Sequence, residues 1–173
     1  MARDIEISEA SVNKYLTIAE GTFLWRQQRS FERSGYKSLI KMPKGHLVDS
    51  GLLHYLSGMP DLAYLKQHPL VGRSFESFVV EEIVKGLATL SIGSWQAYHY
   101  RTKNGAEIDL ILEGQFGVLP IEIKYGLHTP SQRLKVLDDF IQKEGLSFGV
   151  IVNQAERIEW LNPRILQVPV IYL

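Results

Sequence analysis

Between Arg101 and Lys124 the chain reads RTKNGAEIDLILEGQFGVLPIEIK, a stretch that sets acids and a lysine inside strands rather than in loops. Asn104-Gly105 is the strongest short-range signal for a two-residue hairpin turn, so WQAYHYRT and AEIDLILE are expected to pair across it, with Tyr100 opposite Asp109. Successive strand side chains point to opposite faces, which puts Glu107 and Asp109 on one side and Ile108 and Leu110 on the other. Glu122 and Lys124 alternate with Ile121 and Ile123 in the same way on the next strand, VLPIEIKY. If these strands are neighbours, three carboxylates and one ammonium converge, and hard oxygen ligands beside a cation suit Mg²⁺ and phosphate. The same charges could instead neutralise one another at a sheet edge, and an acid followed two places later by Lys recurs by chance, so the context decides.

That context is a chain of alternating helices and strands. Ser8 is expected to cap a short helix carrying Val12, Tyr15, Leu16 and Ala19 at helical spacing, with Gly21 as its stop. TFLWRQQRSF reads as extended, a strand is expected around His46 to Val48, and Asp49 should cap a brief helix ended by Gly58. After Pro60 and a linker-like HPLVG, SFESFVVEEIVKGLATL is expected as a helix capped by Ser74 with a stripe of Phe75, Phe78, Val79, Ile83 and Leu87. At about 100° per residue Glu76 and Glu82 fall inside the arc of Phe75, Val79 and Ile83, whereas Glu81 points away. Acids on an apolar helical face are costly unless something pairs with them. Thr129-Pro130-Ser131-Gln132 resembles a capping box opening a helix through Leu134, Leu137 and Ile141 to Gly145, and FGVIV and ILQVPVIYL read as further strands. From Ser74 the expected order is therefore α, β, β, β, α, β.

With 173 residues, 45% of them hydrophobic, the chain can bury a sizeable core without staples. It has no cysteine, which excludes disulfides and thiolate nucleophiles and makes a zinc site unfavourable. No apolar run approaches the roughly 20 residues needed to cross a bilayer, and MARDIEISE lacks a signal-peptide core, so no membrane role and a cytoplasmic location are expected. Lys plus Arg equals Asp plus Glu at 19 each, yet Arg26, Arg29, Arg33, Lys37, Lys41 and Lys44 cluster against the single acid Glu32. Spaced basic residues interleaved with Trp25, Phe31 and Tyr36 are the pattern of a nucleic-acid contact, although a solvated charged face looks the same. The five histidines, His46, His54, His68, His99 and His128, show no metal-ligand spacing and are read as structural.

GRSFESFVVEEI, GAEIDLIL and LPIEIK together resemble the PD-(D/E)xK, or restriction-endonuclease-like, nuclease superfamily, whose signature is a helix Glu, a strand Asp and an E-x-K on the next strand. Asp109, Glu122 and Lys124 match it, with Glu76 as the helix acid and Glu82 as its competitor. NKYLTIAEGTFLW, HLVDSGLLHYLSG, YRTKNGAEIDLIL and IEIKYG extend the likeness over nearly the whole chain, to the C-terminal domain (domain-of-unknown-function family 4143) of bacterial and archaeal AAA-type ATPases. The resemblance implies an α/β (α+β) fold. A restriction-endonuclease-like αβββαβ core with a mixed sheet would span 71–173, after a small winged-helix-like segment over 1–70. It implies Mg²⁺ or Mn²⁺ held by Asp109 and Glu122, and Lys124 as electrostatic helper. It also implies a nucleic-acid substrate, DNA first. An ATP-binding module normally precedes such a domain, but no G-x-x-x-x-G-K-[ST] occurs here, so the chain is expected to be a fragment or a stand-alone relative. The alternatives are a non-catalytic nucleic-acid-binding module, and a regulatory or dimerising domain that associates with an ATPase or a second copy of itself.

Overall fold

The computed structural model describes residues 7–32 and 40–173. An N-terminal part carries α1 (Glu9–Gly21), β1 (Trp25–Ser30), β2 (Lys44–Leu47), α2 (Ser50–Leu56) and α3 (Leu62–Gln67). Then follow α4 (Val71–Ala88), β3 (Trp95–Arg101), β4 (Glu107–Gly114), β5 (Gly117–Ile123), α5 (Ser131–Glu144) and β6 (Gly149–Asn153). The hairpin of β7 (Glu159–Asn162) and β8 (Ile165–Pro169) and a short 3₁₀ turn close the chain. The order α4, β3, β4, β5, α5, β6 is the expected one, in a mixed eight-stranded sheet ordered β2-β1-β3-β4-β5-β6-β8-β7. β3, β4 and β5 form an antiparallel meander, and α5 crosses over to bring β6 parallel to β5.

Both faces of the sheet are covered, which explains the unbroken apolar run in β4. On one face Val79, Val80 and Val84 of α4 pack on Leu110, Leu112, Ile121 and Ile123. On the other, Leu137, Phe140 and Ile141 of α5 pack on Ile108, Ile111, Ile151 and Ile165. The local signals for α1 and α2 hold, since Ser8 accepts from Ser11 N and Asp49 from Leu52 N. Between Pro60 and the HPLVG stretch, where no element was expected, lies α3, capped by Asp61, whose carboxylate accepts from Tyr64 N, and the end of HPLVG itself already belongs to α4.

Three local expectations are corrected. α4 begins at Val71, three residues before Ser74, without a side-chain cap, and the Ser74 hydroxyl instead bonds His54 Nε2 of α2 at 2.5 Å. The capping box at Thr129 does not form, since α5 starts without a side-chain cap and the buried Thr129 hydroxyl has no hydrogen-bond partner. The β3–β4 loop spans three residues rather than two, with Thr102 and Ala106 bracketing it and Gly105 at φ +85°, so Tyr100 lies opposite Ile108, not Asp109.

α5 ends as expected at Gly145, whose φ of +64° is the left-handed conformation that favours glycine. Replacing it with alanine should cost about 1 kcal/mol by steric strain alone. A thermal melt of Gly145→Ala should show a fall of about 2–4 °C, because nothing in its surroundings would clash with the added methyl.

Candidate functional site

A β-bulge sets the site. Tyr98 pairs with Ile111 but Tyr100 with Ile108, so Asp109 and Leu110 of β4 together oppose the single residue His99 of β3. A bulge of this kind breaks the alternation of faces and re-aims a side chain. Ile108 and Ile111 therefore both turn toward α5 and Leu110 turns toward α4, correcting the expectation that Ile108 and Leu110 share a face. Asp109 stays on the α4 side. Its Oδ2 accepts from Ile123 N at 2.9 Å, just past the Leu110–Ile121 pair where the β4–β5 ladder stops. Its Oδ1 lies 3.9 Å from Lys44 Nζ.

Lys44, at the start of β2, is the hub of the cluster. Its ammonium bonds the Glu76 carboxylate of α4 and lies 3.6 Å from Glu107 Oε1. Burial by itself would depress the Lys44 ammonium, but Glu76 and Asp109 outweigh it and hold its pKa above the usual lysine value. Glu76 is held above the usual carboxylate range, first by burial and then by the negative charge of Asp109, with Lys44 opposing both. These groups line a cleft of about 450 Å³ whose remaining cations include Arg73, Arg101, Lys124 and Arg133. Its floor is anionic and its rim cationic.

Glu122 sits behind that wall. Ile121 and Ile123 on either side of it pack toward α4, so its own side chain leans toward α5, where it is 1% exposed. Oε1 lies 3.2 Å from Lys124 Nζ and 3.4 Å from Arg133 Nη1 yet has no hydrogen-bond partner, so both contacts are ion pairs rather than aligned bonds. Burial, and then the Asp109 charge, push the Glu122 carboxyl up to about 8 against the two cations. Glu76, Asp109 and Lys124 thus line one cleft, and Glu122 lies behind it. Asp109 and Glu122 feel each other's charge but face separate cations.

The donor set fits a hard divalent ion in kind. It offers carboxylate oxygens alone, one of them buried without a donor, and three of the acids already share one positive charge at Lys44. Among the described residues no three His, Asp or Glu side chains stand at the spacing of a metal cage.

Residues 71–172 match the family described as domain of unknown function (DUF4143). The chain belongs to this family. Residues 1–63 match a second domain of unknown function, DUF8612. Among curated proteins, the uncharacterized proteins Rv2008c of Mycobacterium tuberculosis and Mb2031c of Mycobacterium bovis are each 31% identical over 131 residues, 76% of this chain and 28% of the relative. The chain thus spans well under half the length of the curated relatives it matches. No solved structure matches. Among the described residues no helix is long and apolar enough to cross a membrane.

Within the DUF4143 chain the basic segment is not one surface. Arg33 and Lys37 lie outside the described residues. Lys44 serves the acid cluster, and Arg26 grips Glu81 with Nε at 2.5 Å and Nη2 at 3.0 Å. Lys41 pairs with Glu32 at 2.9 Å and, with Arg29, lines a second cleft of about 340 Å³ beside β1 and β3. Glu81, read as pointing away, is buried, and Glu82 is exposed. The reason is that α4 is covered on two sides, by the sheet and by the β1–β2 hairpin. Only the first leaves an apolar stripe in the sequence. His46, read as structural, donates from Nε2 to Glu81 at 2.8 Å. Arg73, Arg101 and Arg133 carried no local signal, since an arginine at a helix or strand end looks the same wherever it points.

Proposed function

We propose that this chain is a nuclease-like domain that binds nucleic acid, DNA first, in the cleft over Glu76, Asp109 and Lys124, and hydrolyses phosphodiesters with Mg²⁺ or Mn²⁺. The observation that carries this reading is the charge layout: Glu76, Glu107 and Asp109 share the one ammonium of Lys44 in a cleft that Arg73, Arg101, Lys124 and Arg133 also line. A divalent ion bridged to a phosphate answers both sets of charges at once. Asp109 and Glu122 would hold the ion, with Glu76 completing the set. When bound, the ion would polarise the phosphoryl group and lower the pKa of a water. Lys124 supplies a positive charge beside the scissile phosphate and stabilises the negative charge that develops there, while the rim arginines fix the flanking phosphates. The order Glu76, Asp109, Glu122-x-Lys124 supports the reading through its likeness to PD-(D/E)xK enzymes. The likeness to the C-terminal domain of AAA-type ATPases supports an ATPase module as partner.

A second reading, a non-catalytic nucleic-acid-binding domain, rests on a specific feature: each inward carboxylate already has a protein cation, Lys44 on one side and Lys124 with Arg133 on the other. Incubating supercoiled, linear and single-stranded DNA with the protein, with and without Mn²⁺, separates the two. The first predicts Mn²⁺-dependent cutting that falls at least about a hundredfold in both Glu122→Ala and Lys124→Ala. Cutting unchanged in both would exclude this site. Salt-sensitive binding without cutting, surviving both substitutions, would favour the second reading.

A further inference from the structure

We propose that Lys44 is a displaceable internal counter-ion: its ammonium holds the place beside Glu76 and Asp109 that a divalent cation takes in the loaded site, and on loading it turns outward as a phosphate contact. This inference rests on the metal reading above. Three features point to it. One ammonium serves three carboxylates on two elements, bonding Glu76 and lying 3.6 Å from Glu107 and 3.9 Å from Asp109, as a small cation would. It comes from outside the acid scaffold, since Lys44 lies in β2, the edge strand, which pairs with β1 alone, whereas the acids lie on α4 and β4. Finally, its side chain is 32% exposed, so the head can swing into the water-filled cleft on its flexible stem without crossing the core.

An ammonium and a divalent ion repel, and three carboxylates cannot bind both at full strength, so the two positive charges compete. Displaced from the floor, the Lys44 head meets the part of the cleft where Arg101 and Lys124 already gather, and a phosphate is the anion that a point charge on a flexible stem serves best. Lys44 is then a positioning residue that sets how tightly the site takes its ion and joins substrate binding only once the ion is in.

The test is Mn²⁺ binding followed by electron paramagnetic resonance, together with mass-spectrometric mapping of lysine acylation. Lys44→Met is expected to bind Mn²⁺ at least about tenfold more tightly than the wild type. In the wild type, acylation of Lys44 should rise several-fold when Mn²⁺ saturates the site, because the amine leaves its ion pairs; this readout needs no substitution and stands even if Lys44→Met fails to fold. Equal or weaker Mn²⁺ binding by a folded Lys44→Met, or Lys44 acylation unchanged at saturating Mn²⁺, overturns the proposal. If Asp109→Asn loses Mn²⁺ while Lys44→Met matches the wild type, the metal reading stands and the role of Lys44 falls. No Mn²⁺ binding by the wild type or by Lys44→Met removes both.

Discussion

At pH 8 the Glu122→Gln variant is expected to melt well above the wild type, and at pH 5 the two should nearly coincide. Glu122 is buried, and burial with the Asp109 charge lifts its carboxyl to about 8, whereas in the unfolded chain it titrates near 4.3. The folded state therefore favours the protonated form. For a folded pKa raised in this way, the stabilising contribution is complete below the unfolded value and is lost as pH rises through the folded one. The ceiling on that loss is roughly 5 kcal/mol, from a shift of about 3.7 pH units at 1.36 kcal/mol each. Local relaxation reduces it, and about 2–3 kcal/mol, or roughly 5–10 °C in melting temperature, is the expected gain from the neutral amide at pH 8. Glu76 is shifted in the same direction, but its effect is common to both proteins and cancels in the comparison. Calorimetric melts from pH 5 to pH 8 measure the difference, and an equal gap at both ends would show that ionising Glu122 costs the fold nothing. Under the metal reading, Mn²⁺ at pH 8 should narrow the gap by stabilising the wild type alone.

Removing Glu81 should do the opposite. Its carboxylate, 2% exposed, accepts from both Arg26 and His46 and so ties the β1–β2 hairpin to α4. Burial alone would raise its pKa, but the hydrogen bonds from His46 and Arg26 and the Arg26 charge win, and the pKa lies below the usual glutamate value. Glu81→Ala leaves a guanidinium without its partner, and breaking such a pair typically costs about 3–5 kcal/mol. Arg26 is 34% exposed and can turn to water, so the lower end, about 3 kcal/mol, is expected. The melting temperature should drop by roughly 6–12 °C at pH 7. The sign of the pKa shift sets the pH window. A depressed folded pKa gives stability that is present above the unfolded value of about 4.3 and is lost as pH falls through the folded one, so the deficit should vanish in acid. A melting temperature that does not change at pH 7 would mean that α4 and the hairpin are held by apolar packing alone.

These two acids also mark how far the residues could be read in advance. Helical periodicity placed Glu76 on the inner face of α4 but turned Glu81 outward, because the stripe of Phe75, Val79 and Ile83 reports only the side that meets the sheet. Away from the sheet, α4 meets α2 through Ser74 and the hairpin through Glu81, whose burial depends on His54, Arg26 and His46 elsewhere in the chain. The bulge at Asp109 was likewise invisible. An alternating strand and an alternating strand with one extra residue differ only in the partner they are laid against.

The residues by themselves determined the element order from α4 to β6 and the meander of β3 to β5, because period and turn chemistry act over a few neighbours. Only the tertiary structure decided which cation meets which carboxylate. Arg26 reaches Glu81 across 55 positions and Lys44 reaches Glu76 across 32, once β1 has joined the sheet beside β3. Coulomb attraction has no sequence period. A basic run read along the chain therefore looks like one surface until folding divides it between the interior and the solvent.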